Sequence, residues 1–272
     1  MTEIKLLALD LDGTLFDSQK VVSEENKQAL RAARDKGVKV VITTGRPLKA
    51  VEDLLDELDL ISDEDYIITF NGGLVQKTNG KILDKSQLTR DQLRRLHGAL
   101  EPLGLSFDVL SDGIVYILPS QGNHSRDPQA NPKLTFVELD SFDEIPKDVI
   151  YNKVVSVTDP EFLDKQILQL PKDLYEAFEI FKSREIILEM MPKGVHKAAG
   201  LQQLIDHLGF LPEQVMAMGD EENDLSMLKW AGLGVAMANA VPKVKAIANH
   251  TTTRTNEESG VAETIEEYIL KA

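Results

Sequence analysis

The chain has 272 residues, a formal net charge of −15 at pH 7 and no cysteine. The length suits one or two domains, and the acidic balance argues against a nucleic-acid partner, because phosphate backbones are held by basic surface. The lack of cysteine excludes disulfides and thiol chemistry, and no apolar run predicts a membrane span or signal peptide, so we expect a cytoplasmic protein without a membrane partner.

A buried strand that runs into two carboxylates opens the chain. Residues 6–9 are all apolar, which is typical of a strand covered on both faces of a parallel sheet. Asp10 and Asp12 follow and can point to the same side, at the strand end where open α/β sheets bind ligands. Two like charges there indicate a divalent metal or a shared proton, and oxygen ligands suit Mg²⁺. The alternative interpretation is a plain Asp-Gly turn.

Helices and strands alternate over the next part of the chain. The patterns predict a helix between Ser23 and Gly37, a strand over residues 39–43, a helix beginning at Pro47, a strand over residues 66–70 and a hairpin over residues 75–83. This order predicts a doubly wound, parallel α/β sheet.

The pattern changes from about residue 84 and changes back near residue 191. Between these points we expect a helix over 90–103, strands over 106–110, 114–119 and 134–137, a loop over 121–132, a strand over 151–157, a helix from Asp159 and strands over 177–181 and 186–190. After them we expect a helix ending at Gly209, strands over 215–218 and 233–236, and a final helix over 260–270. We therefore predict a core of residues 1–83 and 191–272 and an α+β insert of residues 84–190.

Three predicted strands end in polar residues that should meet at one edge of the sheet. These residues are Asp10 and Asp12 on the first strand, Thr44 on the second, and Asp220, Asn223 and Asp224 on a later one. Lys197 opens a helix and can supply positive charge at the same edge. A carboxylate that attacks phosphorus, a metal and a lysine that neutralise charge, and a hydroxyl that orients the group together suit phosphoryl transfer.

These motifs resemble those of the haloacid dehalogenase-like (HAD) phosphohydrolases and, within them, the Cof-type (YidA-like) sugar-phosphate phosphatases. The matching motifs are DxDGT from Asp10 to Thr14, a threonine at Thr44, a lysine at Lys197 and GDxxND from Gly219 to Asp224. The resemblance covers essentially the whole chain. It implies a Rossmann-like HAD core with a C2-type α+β cap between the second and third motifs, where the spacing leaves room for a domain.

The resemblance also implies a role for each motif residue. Asp10 would be the nucleophile and Asp12 the general acid/base, while Thr44 and Lys197 would bind the phosphoryl group. Mg²⁺ would be held by Asp10, the carbonyl of Asp12 and Asp220, with Asp224 behind them. The substrate-binding residues would be Gly45, Asn71, Gly72 and Asn223. Asn71-Gly72-Gly73 can also be interpreted as a plain turn, and the segment after Asn249 fits the family only loosely.

We therefore predict a Mg²⁺-dependent phosphatase of small phosphorylated metabolites, with sugar phosphates as the expected class. One alternative is a phosphomutase that uses the same aspartyl-phosphate. Another is a non-catalytic phosphosugar-binding regulator on the same fold, against which the intact Asp10, Asp12, Lys197 and Asp220 argue. Trp230 and three methionines, Met216, Met218 and Met227, are predicted to pack in the core. The sequence leaves the oligomeric state open.

Overall fold

The structure is a computed structural model that describes residues 2–118, 120 and 125–271. The chain divides into two compact units. One comprises Met1–Arg46, Asp53–Asp84 and His196–Ala272, and the other comprises Pro47–Glu52 and Lys85–Val195. Compared with the predicted insert of residues 84–190, the second unit also includes residues 47–52 and 191–195, and residue 84 belongs to the first unit.

The first part of the chain alternates strands and helices in the predicted order. Its elements are β1 (Leu6–Leu9), α1 (Glu24–Asp35), β2 (Lys39–Thr43), α2 (Glu52–Glu57), β3 (Tyr66–Thr69), β4 (Leu74–Lys77) and β5 (Ile82–Lys85). Ser23 caps α1 as predicted, because its hydroxyl accepts a hydrogen bond from the backbone N–H of Asn26 at 3.1 Å. The placement of Pro47 was wrong: its extended ψ of 158° puts it before a short 3₁₀ helix, Leu48–Ala50, and not inside it.

The middle part of the chain forms most of the second unit. Its elements are α3 (Arg90–Leu100), β6 (Phe107–Ser111), β7 (Ile114–Leu118), α4 (Asp127–Ala130), β8 (Thr135–Glu138), β9 (Lys153–Val157), α5 (Pro160–Ile167), α6 (Lys172–Ala177), β10 (Phe178–Arg184) and β11 (Ile187–Pro192). The predicted loop over 121–132 was wrong in part, since it contains α4, and its residues 121–124 lie outside the described residues. Pro128 near the start of α4 suits a first turn, where its missing N–H costs no hydrogen bond.

The last part of the chain returns to the first unit. Its elements are α7 (Lys197–Leu208), β12 (Val215–Gly219), α8 (Leu225–Trp230), β13 (Leu233–Ala236), α9 (Pro242–Lys245), β14 (His250–Thr251) and α10 (Gly260–Ile265). The helix predicted over residues 260–270 changes at Glu266 into a π-helical turn, Glu266–Leu270. Within the described ranges, every helix is too short or too polar to cross a bilayer.

The sheet of the first unit confirms the predicted doubly wound α/β fold. Its strand order is β14-β13-β12-β1-β2-β3-β4-β5. β1 lies at its centre and pairs in parallel with β2 and with β12, whereas the hairpin strand β4 is antiparallel to β3. All four residues of β1 are fully buried, as the apolar run predicts. The parallel pairing brings the carboxyl ends of β1, β2 and β12 to one edge of the sheet.

The core predictions hold for the methionines and fail for the tryptophan. Met216, Met218 and Met227 are fully buried. Trp230 is only half-buried, and its indole Nε1 donates a hydrogen bond to Gln202 Oε1 at 3.0 Å. The indole N–H needs a polar partner, which keeps the ring at the margin of the core.

The second unit is an α+β layer with a core of its own. Its sheet has the order β10-β11-β9-β6-β7-β8, and one face packs residues such as Phe107, Val154 and Met190 into a hydrophobic cluster. Because side chains alternate along a strand, neighbouring polar residues occupy the other face. There Lys153 Nζ donates to Glu189 Oε2 at 2.7 Å, with both side chains buried.

Asp108 is a buried carboxylate in this unit and is expected to destabilise it at high pH. Burial raises the pKa of Asp108 well above its usual range, against the lowering effect of hydrogen bonds from Ser125 and Ser106. Between the ordinary pKa of the unfolded chain and the raised folded value, the folded state binds more protons, so stability falls as pH rises. Asp108→Asn should therefore raise the free energy of unfolding at about pH 8 and change it less at about pH 5.

Urea unfolding of the variant at both pH values would test this expectation. The matched control is Asp148→Asn, because Asp148 is exposed. A loss of stability in Asp108→Asn at the higher pH would show that the carboxylate is stabilised by contacts stronger than its two serine hydrogen bonds.

Candidate active site

The carboxyl end of β1 places Asp10 against Lys197. The backbone N–H of Asp10 donates to Met218 O at 3.1 Å, which continues the pairing of β1 with β12 and fixes the position of this residue. Lys197 is the first residue of α7 and is fully buried. Its Nζ donates to Asp10 Oδ1 and, at 2.6 Å, to Asp224 Oδ1. The structure thus brings together three residues that the sequence predicted at one edge of the sheet.

The start of α7 is held by His196 and packs closely on Gly72. His196 Nδ1 accepts a hydrogen bond from the backbone N–H of Ala199 at 3.1 Å, which caps the helix. Gly72 has a φ of +101°, and a Cβ on it would lie 2.3 Å from His196 O. Gly72 was predicted to bind substrate. In addition, the position requires glycine, because a larger residue would collide with the start of α7.

Both carboxylate oxygens of Asp224 accept hydrogen bonds from other groups of the protein. Its Oδ2 accepts the backbone N–H groups of Asp220 at 2.9 Å and Glu221 at 3.1 Å, while its Oδ1 accepts from Lys197. Gly219 is required beside it, because a Cβ there would lie 2.5 Å from Asp224 Cβ. Asp224 therefore holds the loop after β12 in shape, and its place behind a metal ligand stays a prediction.

Asp220 lies against the loop that follows β1. Its Oδ1 accepts a hydrogen bond from Thr14 Oγ1 at 2.8 Å. A Cβ on Gly13 would lie 2.2 Å from Asp220 Oδ2, and Gly13 also has a φ of +84°. Glycine at this position is therefore needed both for the turn and for the approach of the carboxylate.

Three buried carboxylates form a cluster that could hold a metal ion. One carboxylate oxygen from each of Asp10, Asp220 and Asp224 lies within 4.8 Å of the others. Burial raises the pKa of Asp220 to about 7, and the nearby Asp224 adds to the effect. Burial also raises the pKa of Asp10 well above its usual range, more than Lys197 lowers it. For Lys197 itself, burial alone would lower the pKa, but the carboxylates of Asp10 and Asp224 raise it.

One ammonium thus faces three carboxylates in this cluster. Oxygen donors with excess negative charge fit a hard divalent cation, since such a cation would remove the repulsion that now favours protonation. Both carboxylate oxygens of Asp224 already accept hydrogen bonds from the protein. Asp10 and Asp220 are therefore the carboxylates that fit direct coordination of a cation.

The Asp12 carboxylate contacts two cationic side chains, Arg46 and Lys20, which are not part of the carboxylate cluster. Arg46 donates to both of its oxygens, from Nε to Oδ2 at 2.9 Å and from a terminal nitrogen to Oδ1 at 2.5 Å. Lys20 Nζ lies 3.6 Å from Oδ1. The carboxylate remains 43% exposed, so it is accessible from solvent. Arg46 was not among the predicted site residues, although a cation two residues after Thr44 is the kind of local positive charge that an anionic substrate of an acidic protein requires.

Thr44, Gly45 and two asparagines form another part of the same edge. Thr44 is buried, and its backbone O accepts from Asn71 N at 2.9 Å. Asn223 Nδ2 donates to Asn71 Oδ1 at 3.3 Å. A Cβ on Gly45 would lie 3.0 Å from Asn71 Nδ2, so glycine leaves room for this amide.

Asn71 combines a strained backbone with an unsatisfied donor. Its φ is +53°, and that of the preceding Phe70 is +51°. Asn71 Nδ2 is buried and has no hydrogen-bond partner within the described part of the chain. Consecutive non-glycine residues with positive φ cost roughly 1–2 kcal/mol each, and such strain tends to be kept at functional sites. A buried donor without a partner suits a segment that binds an anionic ligand. This favours the substrate-binding interpretation of the segment over that of a plain turn.

The comparisons with known proteins agree with this chemistry. Residues 7–265 match the family model described as haloacid dehalogenase-like hydrolase. The chain is 37% identical over 267 residues to YxeH of Bacillus subtilis, provisionally named a phosphatase, with 98% of each chain covered. It is 36% identical over 268 residues to YcsE of Bacillus subtilis, named a 5-amino-6-(5-phospho-D-ribitylamino)uracil phosphatase, with 98% of this chain and 97% of the relative covered.

Solved structures share the fold over nearly the whole chain. A haloacid dehalogenase-like hydrolase from Bacteroides thetaiotaomicron superposes with a TM-score of 0.84 at 32% identity, covering 97% of this chain and 99% of the other. A subclass IIB sugar phosphatase superposes with a TM-score of 0.80 at 26% identity, covering 97% and 98%. The similarity therefore includes both units of the chain.

Proposed function

The chain belongs to the haloacid dehalogenase-like hydrolases and is a phosphatase, and we propose that it hydrolyses small phosphorylated metabolites, with sugar phosphates as the main class, through an aspartyl-phosphate and with Mg²⁺. The observation that carries this proposal is the buried contact of Lys197 with Asp10 beside Asp220. A carboxylate, a cation and a second carboxylate at one strand edge are what attack on phosphorus requires. The named activities of YcsE and of the subclass IIB sugar phosphatase support the substrate class.

In the first step, we assign Asp10 as the nucleophile. Its Oδ1 is hydrogen-bonded to Lys197, which holds the carboxylate in position for attack on phosphorus. Lys197 and the amide of Asn71 would bind phosphoryl oxygens, and Thr44 would orient the group. Bound to Asp10 and Asp220, Mg²⁺ would neutralise charge on the phosphoryl group.

Asp12 acts in both steps, first as acid and then as base. It gives its proton to the leaving oxygen when the phosphorus–oxygen ester bond breaks, and then takes a proton from the water that attacks the aspartyl-phosphate. Its carboxylate is paired with Arg46. An ion pair of this kind stabilises the ionised carboxylate, which is the form that acts as base. The acid step starts from the protonated carboxyl, and the proton taken from water in the second step restores that form.

The direct test is a turnover screen over sugar phosphates, nucleotides and other phosphomonoesters, with Mg²⁺ and with EDTA. Release of inorganic phosphate that needs Mg²⁺ supports the proposal. Transfer of the phosphoryl group to a second sugar without phosphate release would support the phosphomutase instead. A cytoplasmic location stays a prediction from the sequence.

Mg²⁺ affinity should fall as the pH drops below about 7. The pKa of Asp220 is about 7, and a metal must displace that proton before the carboxylate can bind it. One displaced proton corresponds to a loss of about tenfold in apparent affinity per pH unit below the pKa. Calorimetric Mg²⁺ titrations across this range would measure the slope. Asp220→Asn should bind weakly at every pH, and a flat profile in the parent protein would exclude Asp220 as a ligand.

We further propose that the second unit sets the substrate preference. The candidate site in the first unit offers groups suited to phosphate and metal, which every phosphomonoester would use in the same way. Exchanging residues 85–195 for the corresponding segment of a relative with another preference should therefore transfer that preference and keep the Mg²⁺ requirement. The measurement is kcat/KM over the screening panel, with circular dichroism to show that the chimera is folded. A folded chimera with the parent's ranking would contradict the assignment.

A further inference from the structure

A segment near the end of the chain is tied to the loop that carries Asp12. This loop, residues 11–18, follows β1. Asn239 Nδ2 donates to Gly13 O at 2.7 Å, and Asn256 Nδ2 donates to Phe16 O at 2.8 Å. The contacts cross more than two hundred residues of sequence, so they join the Asp12 loop to a distant part of the first unit.

The two asparagines also bind each other. Asn239 Oδ1 accepts the backbone N–H of Asn256 at 3.0 Å. The residue after Asn256 makes a third contact with the loop, because Glu257 Oε1 accepts the backbone N–H of Ser18 at 2.6 Å. Side chains of one continuous segment therefore bind two backbone carbonyls and one backbone N–H of the Asp12 loop. We name this segment, residues 237–257, the brace.

The brace holds the loop after β12 as well. The backbone N–H of Met237 donates to Gly219 O at 3.1 Å, and that of Val241 donates to Asp220 O at 3.0 Å. Asn239 lies between these two contacts. The same short stretch thus fixes the backbone of Asp220 and the turn at Gly13, and Asp12 is adjacent to that turn.

We propose that Asn239 and Asn256 are positioning residues for Asp12. The inference rests on the proposed role of Asp12 as general acid/base. The Asp12 carboxylate is partly exposed and contacts two long, flexible side chains, Arg46 and Lys20, so the backbone of its loop decides where the carboxyl group can reach. The brace supplies this backbone position from outside the loop. Small errors in the placement of such a group reduce rates strongly, by about 10²-fold for a shift of about 1 Å.

The variants that test the inference are Asn239→Ala and Asn256→Ala. Each removes one side-chain amide of the brace that donates a hydrogen bond to the Asp12 loop. Asn239→Ser and Asn256→Ser keep a shorter donor and serve as milder variants if an alanine variant does not fold. The matched control is Asn249→Ala. Asn249 also belongs to the brace, but its Oδ1 accepts from Gly234 N at 2.7 Å, which lies away from the Asp12 loop.

The readout is the dependence of the rate on the leaving group. Cleavage of a sugar phosphate needs a proton for its leaving oxygen, whereas p-nitrophenyl phosphate releases a stable anion without one. In the brace variants, kcat/KM for the sugar phosphate should fall by about 10- to 100-fold. The pre-steady-state release of p-nitrophenol should change by less than about threefold, because Asp10 and its surroundings are unchanged.

Each outcome separates the inference from the proposed function. An inactive parent protein would overturn the proposed function itself. An active parent whose brace variants lose both substrates equally, or lose neither, would overturn the positioning role. The same leaving-group effect in Asn249→Ala would also overturn it, since that variant spares the contacts to the loop. A selective loss on the sugar phosphate in Asn239→Ala and Asn256→Ala alone would support it.

Discussion

Asp10→Asn is expected to abolish phosphatase activity while the protein remains folded. An amide oxygen cannot form the aspartyl-phosphate, so the loss should exceed about 10⁴-fold, the upper end of what a general acid or base contributes. The fold should not suffer, because the pKa of Asp10 is raised by burial and by the carboxylates of Asp224 and Asp220, against the effect of Lys197. Removing that carboxylate leaves Lys197 paired with Asp224 at 2.6 Å.

The measurement combines phosphate release with thermal unfolding in EDTA. The melting temperature of Asp10→Asn should equal or exceed that of the parent, since one carboxylate of a repulsive cluster is gone. Asp56→Asn, an exposed position in α2, controls for the substitution itself. Activity within about tenfold of the parent in a verified Asp10→Asn sample would exclude Asp10 as the nucleophile.

The sequence predicts this fold well where local pattern and tertiary structure agree. The apolar run of β1 and the limits of β2, Lys39–Thr43, follow from continuous hydrophobic residues between turn signals. Short elements were missed, such as β14, which has two residues, and α6, because neither is long enough to show a period. Pairing with β13 defines β14, and no local pattern encodes that contact.

The candidate site was predictable as a set of residues and not as a set of contacts. Asp10, Lys197 and Asp220 come together because parallel strands end at one edge, a rule that needs no side-chain detail. The pairing of Arg46 with Asp12 depends on the direction of two side chains after their strands have ended. The brace depends on hydrogen bonds between residues far apart in sequence, which composition and periodicity do not reveal.

Lys197 should have the largest effect on stability of any residue in the site. It is fully buried between Asp10 and Asp224; burial lowers its pKa, but the two carboxylates together raise it by more. Lys197→Met keeps the length of the side chain and removes the charge. Two buried carboxylates would then face each other without a cation, and breaking a buried ion pair in this way costs about 3–5 kcal/mol.

The second substitution Asp224→Asn separates stability from catalysis. In the double variant Lys197→Met/Asp224→Asn one excess carboxylate is neutralised, and the oxygen of the introduced amide can still accept the backbone N–H groups of Asp220 and Glu221. We expect urea unfolding in EDTA to show a large loss for Lys197→Met, a partial recovery for the double variant and little change for Lys229→Met, an exposed control. Activity should stay lost in both variants, because the phosphoryl oxygens lack their cation. Recovery of activity together with stability would mean that Lys197 only balances charge in the folded protein and does not act on the substrate.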